Sequence, residues 1–135
     1  DHALVRAIDD KIVTSALTMT PGSQTTIDLA KARAQHAQLT RELKRTGLHI
    51  HELPSDGFPD SVFIEDTAVI IGKTAMLTVP AARSRRGEVP AVRRYIVKHF
   101  AQDMESIVEL PDNGGTIDGG DVLFTGTEQQ VLNPQ

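Results

Sequence analysis

Phe58-Pro59-Asp60-Ser61-Val62-Phe63-Ile64-Glu65-Asp66-Thr67-Ala68-Val69-Ile70-Ile71-Gly72-Lys73-Thr74-Ala75-Met76-Leu77-Thr78-Val79 is the stretch on which the fold turns. Two β-branched runs, Thr67 to Ile71 and Ala75 to Val79, flank Gly72-Lys73-Thr74, which predicts two strands joined by a hairpin-type connection. Ahead of them three carboxylates, Asp60, Glu65 and Asp66, bracket an apolar segment expected to be a strand, with Glu65 and Asp66 on opposite faces.

Working outward, each side of the hairpin carries a helix followed by a strand. Upstream, Ala3 to Ile8 reads as a short strand and Pro21-Gly22-Ser23 as a turn. Thr25 and Asp28 fit a capping box, and Leu29, Ala32, His36, Leu39 and Leu43 form one stripe predicted to be buried. Lys44, Arg45 and Gly47 stop that helix, and Leu48 to Leu53 alternates as a strand. Downstream, a helix runs from Ser84 or Gly87 to Phe100, with a start near Gly87 favoured by Pro90, and Val89, Val92, Ile96 and Phe100 on its apolar side. Ile107 to Leu110 and Asp121 to Phe124 read as further strands around a glycine-rich turn. Ser23 to Leu53 thus resembles Ser84 to Leu110, a helix-then-strand repeat that predicts stacked modules of α/β class. No linker or low-complexity segment divides residues 1–135, so they read as one unit. The repeat stops after Gly126, with no third helix in Thr127 to Gln135.

The composition narrows the function. With 39% hydrophobic and 24% charged residues the chain reads as globular, but four Phe, one Tyr and no Trp leave the core to aliphatic side chains. A net charge of −4 argues against nucleic acid or an anionic membrane as partner, and no apolar run approaches the ~20 residues of a membrane span. No secretory signal is visible and there is no cysteine, which excludes disulfides, thiolate metal sites, Fe–S clusters and a cysteine nucleophile from this chain. The cytoplasm is the default compartment.

Four groups of residues could carry chemistry. The Asp60, Glu65, Asp66 cluster reads either as a solvated strand end or as a site for a cationic ligand, where converging carboxylates neutralise charge. Ile117-Asp118-Gly119-Gly120-Asp121 is either a plain turn or a close backbone approach to a ligand. Ser84-Arg85-Arg86-Gly87-Glu88 is either solvated surface or an arginine fork for a ligand carboxylate or phosphate. His49 and His51 share a strand face able to hold a metal, but with no third ligand identifiable they read as a solvent-facing pair, and His36 reads as a buried helix histidine.

Taken together, Phe58 to Thr67, Ser84 to Glu88 and Ile117 to Gly126 closely resemble dimethylarginine dimethylaminohydrolase, of the guanidino-group-modifying (pentein) superfamily. The resemblance runs from Ala3 to about Gly126 and corresponds to the first half of the family's length. It implies a partial propeller of ββαβ modules, about two and a half of five, and a substrate of N-methylated arginine hydrolysed to citrulline and a methylamine, with no cofactor and no metal. Carried over, Asp60, Glu65 and Asp66 hold and polarise the guanidinium. Arg85 engages the substrate's carboxylate end, Asp118 helps position the catalytic histidine, and Leu17 matches the lid leucine. The chain departs from the pattern at Val79-Pro80-Ala81-Ala82-Arg83, where the family has Arg-Pro-Gly-Ala, and at Thr127 to Val131, where an aromatic strand and a second arginine are expected. The family's nucleophilic cysteine and acid–base histidine lie beyond the matched segment. The chain is therefore expected to be a half-site, inactive alone, completed by a missing half or by a homodimer. The alternatives are a non-catalytic binding or regulatory module for cationic amino acids and an inert structural fragment.

Overall fold

The computed structural model describes residues 1–17 and 27–126. The elements are β1 (His2–Arg6), α1 (Ile12–Ser15), α2 (Leu29–Arg45), β2 (His49–Leu53), β3 (Ala68–Ile71), β4 (Thr74–Leu77), α3 (Val89–Phe100) and β5 (Ser106–Glu109), with 3₁₀ turns at Ile64–Thr67, Arg83–Glu88 and Gly119–Asp121. β1 pairs parallel with β2, His2 opposite His49 through Arg6 opposite Leu53. β3 and β4 form an antiparallel hairpin, and β5 adds parallel to the far side of β4. The chain is therefore α/β, and each long helix is the crossover between two parallel strands, which parallel pairing requires. That crossover explains the helix-then-strand repeat of the sequence.

The core gathers Leu53, Ala75, Leu77, Val92 and Ile96, ringed by Leu4, Ile64, Ala68, Val89, Tyr95, Met104 and Ile107. It is aliphatic, as the scarcity of aromatics predicts, and α3 faces it with Val92, Ile96 and Phe100. Pro90 sits in the first turn of α3, where a missing N–H leaves no bond unmade, and the stretch before it is the 3₁₀ turn rather than helix.

Three expectations change. α2 is capped by Asp28, whose side chain accepts from Lys31 N, whereas Thr25 and the Pro21-Gly22-Ser23 turn lie outside the described residues, as does Thr127 to Gln135. The α2 stripe exists but is not buried: no residue of the helix is, and Leu39 is 55% exposed. Its apolar face instead borders an open trough of about 570 Å³ shared with Val62, Phe63, Ile64 and Ile70. Finally, neither residues 61–66 nor Asp121 to Phe124 form a strand. The first is turned by local bonds, Asp66 N to Phe63 O and Thr67 Oγ1 to Ile64 O, and the second finds no pairing partner among the described residues.

Candidate functional site

Because residues 64–67 coil rather than extend, Glu65 and Asp66 do not alternate across a sheet. The turn places Asp66 where the other two motifs arrive. Gly120 N donates to Asp66 Oδ1 at 3.0 Å, and Arg85 Nη1 donates to Oδ2 at 2.5 Å. The glycine pair permits this approach: a Cβ on Gly119 would lie 2.1 Å from the Glu65 carbonyl oxygen, and one on Gly120 would lie 2.5 Å from Asp66 Oδ1. Thr78 Oγ1 holds the Asp66 carbonyl at 2.6 Å, so both backbone and side chain of this residue are fixed.

Arg85 is neither solvated surface nor an open fork. It is only 7% exposed and donates to Asp66, to both Glu88 oxygens at 3.2 and 3.0 Å, and to the Asp60 and Phe63 carbonyls at 3.2 and 2.9 Å. Because the two Nη2 N–H groups serve three of these acceptors, one of its five N–H groups, on Nη1, has no partner among the described residues. Glu88, 1% exposed, is a central member of this network that the sequence motif alone does not mark. The signal lay in its spacing, since residues three apart eclipse on a 3₁₀ turn. Burial pushes the Glu88 carboxyl above the usual range despite Arg85, and the two carboxylates hold the Arg85 proton more tightly than usual. Arg6, fully buried, closes the network by donating to Pro54 O, Asp56 and Glu88 O at 2.7, 3.0 and 3.3 Å.

The remaining residues lie around this centre. Asp60 is buried, and its two carboxylate oxygens accept from Leu17 N at 3.1 and 3.3 Å, which brings two expected site residues together. The Leu17 side chain itself is exposed. Asp118 accepts from Ala81 N at 3.2 Å, on the segment joined to β4's end by the Val79–Ile117 bridge. Glu65 is exposed, makes no ion pair among the described residues, and lines the trough beside Phe63. Ser61 is fully buried with its Oγ unpartnered among the described residues. Arg86 is engaged with Asp112 at 2.8 Å and with Pro80 O at 3.0 Å. Two histidine expectations fail: His36 is half-buried on the trough, and His51 is half-buried against Tyr95 and Phe100 rather than facing solvent. The result is one carboxylate locked by a buried guanidinium and a backbone N–H, next to a second carboxylate open to solvent.

No protein-family model matches the chain. A Bos taurus protein named putative hydrolase DDAH2 is 40% identical over 132 residues, covering 94% of this chain and 43% of the relative. The dimethylarginine dimethylaminohydrolase of Pseudomonas aeruginosa is 38% identical over 100 residues, covering 73% of this chain and 38% of the enzyme. A crystal structure of a dimethylarginine dimethylaminohydrolase adduct with S-methyl-L-thiocitrulline superposes with a TM-score of 0.80 at 30% identity, over 91% of this chain and 46% of that one. The chain thus spans less than half the length of the relatives it matches. Sequence and fold agree that it belongs to the dimethylarginine dimethylaminohydrolase family.

Proposed function

We propose that the chain carries the guanidinium-binding side of a hydrolase acting on N-methylated arginine, and that it does not complete the reaction alone. The observation that carries this reading is the pair Glu65 and Asp66, the first exposed and the second held by Gly120 and Arg85. A guanidinium presents planar N–H donors that a fixed carboxylate meets in a directed geometry. Asp66 supplies the fixed acceptor and Glu65 the mobile one. With Arg85 tied to Asp66 and Glu88, its part is chiefly to orient Asp66, leaving one Nη1 N–H for the substrate's carboxylate. Asp118 keeps Oδ1 available to orient a histidine.

Hydrolysis of a methylated guanidinium by covalent catalysis needs a thiolate to attack the central carbon. A general acid must then protonate the departing methylamine, and water releases citrulline. No cysteine exists in this chain, so the nucleophile comes from residues outside it. The same holds for the rest of the ring: about two and a half of five modules fit a chain spanning 43% of one relative's length and 46% of another's. The remaining modules are supplied by further chain, or by a second copy that would close the ring but bring no cysteine; sedimentation at high concentration separates these, since a strictly monomeric mass removes the second.

Titration calorimetry of the chain with asymmetric dimethylarginine tests the reading, repeated with Glu65→Gln, an exposed substitution that leaves the Arg85 network untouched. The expected result is binding that Glu65→Gln weakens, with no citrulline formed. Binding indifferent to Glu65→Gln, or none at all, removes the half-site. Sustained citrulline formation by the purified chain removes the claim that it cannot turn over alone.

A further inference from the structure

Three of the chain's five histidines gather at a place the proposed function does not use. The parallel register sets His2 opposite His49, with His51 two residues on, so three imidazoles from β1 and β2 share one face. His2 Nδ1 lies 2.8 Å from His51 Nε2. The His2 ring centroid is 5.0 Å from that of His51 and 5.4 Å from that of His49. Behind them, His51 Nδ1 lies 3.0 Å from the Tyr95 hydroxyl, and the His51 ring packs edge-on against Phe100. A hydrogen bond on one ring nitrogen is how proteins orient the other nitrogen toward a metal. In the tautomer that donates Nδ1–H to Tyr95, His51 Nε2 presents its lone pair to His2.

We propose that His2, His49 and His51 form a binding site for a borderline divalent metal ion such as Zn²⁺ or Ni²⁺, with His2 and His51 as the primary pair. Imidazole is the protein ligand these ions share, and no thiolate is needed. At Zn–N distances of about 2.0–2.1 Å, two ligands in a tetrahedral shell stand ~3.3 Å apart, so the ion takes the place of the hydrogen between His2 and His51 once His2 carries its proton on Nε2, the rings turn to aim both lone pairs at the ion, and the pair opens by about half an ångström. His49 completes the set by turning its exposed ring inward, and water fills the shell. Among the described residues no three His, Asp or Glu side chains are placed to hold a metal ion as they stand, so the site requires these movements of His2, His51 and His49. The second strand supplies what the spacing of His49 and His51 alone lacked, a third ligand. The site is independent of the methylarginine reading.

The test is a calorimetric titration of the chain with ZnCl₂ at pH 7.5, followed in parallel by tyrosine fluorescence. Tyr95 is the only tyrosine and there is no tryptophan, so the emission reports on the residue bonded to His51. One ion per chain is expected, with a change in Tyr95 emission. His2→Ala, an exposed substitution whose fold circular dichroism checks, should weaken binding at least about tenfold. His51→Gln should do the same and His49→Ala less, while His36→Ala on α2 leaves binding unchanged. No one-to-one binding overturns the proposal. So does affinity that survives His2→Ala in a folded chain or falls equally with His36→Ala.

Discussion

Replacing Arg85 with methionine puts the central network to its hardest test. The substitution keeps an unbranched apolar stem and removes the guanidinium that two carboxylates share: Glu88, buried with a side chain 1% exposed, and Asp66, half-buried at 19%. Removing one partner of a buried ion pair costs about 3–5 kcal/mol, because the other charge stays behind without compensation. Here two carboxylates and the carbonyls of Asp60 and Phe63 lose their donor together, so the upper part of that range applies. Against a domain stability of roughly 5–15 kcal/mol, the variant should sit near its unfolding threshold. Urea unfolding followed by far-ultraviolet circular dichroism reads this as a midpoint lowered by about 2 M at a slope of ~2 kcal/mol/M. Two signatures separate electrostatics from lost packing. Adding Glu88→Gln to Arg85→Met should recover part of the loss, since it removes the stranded charge. The deficit should also shrink between pH 7 and 5. A buried carboxyl without its cation has a folded pKa raised above the unfolded value, so it favours the folded state below that range and penalises it as pH rises. A loss under about 1 kcal/mol, flat with pH, would refute the buried network.

Gly119→Ala should cost about 1–3 kcal/mol, because its methyl meets the Glu65 backbone carbonyl, whereas Gly120→Ala meets the end of a side chain and should cost less; thermal melts of both variants compare them. Ile96→Ala should cost about 2–5 kcal/mol by the same urea assay, and Leu39→Ala, more than half exposed, close to nothing. Asp28→Ala should remove about 1 kcal/mol by uncapping α2. His51 has a folded pKa below its unfolded value, so the stability it protects is present above about pH 6.5 and lost as the pH falls through the folded pKa. The melting temperature should drop over that window, and His51→Gln should flatten the drop.

Much of this architecture was legible because the alternation and the helix stripes are local. The hairpin around Gly72-Lys73 and the strands β1 to β5 fall within two residues of their expected bounds. Residues 61–66 misled because an apolar run says nothing about the bonds that bend it, here Thr67 Oγ1 to Ile64 O. α2 shows a different limit. Amphipathicity records which face a helix would bury, while the surface that buries it need not belong to the same 135 residues. At the site, the acidic and arginine motifs were visible, but their mutual neutralisation was not. Glu88 looks like ordinary surface until the 3₁₀ turn folds it under Arg85.

The pairing of β1 with β2 also sets an order of assembly. β3 meets β4 across two residues, but the β1–β2 pair must bring residue 2 to residue 49 through an intervening crossover helix. Loop-closure entropy makes the longer connection costlier by roughly 2 kcal/mol, so the hairpin has every reason to form first and β1 to dock on a surface already in place. Arg6 travels on that strand and threads its guanidinium between Pro54, Asp56 and Glu88 only when the strand arrives. Substitutions in β1 should then hasten unfolding and leave the refolding rate nearly unchanged. The strand from His2 to Arg6 should therefore enter the fold after the hairpin.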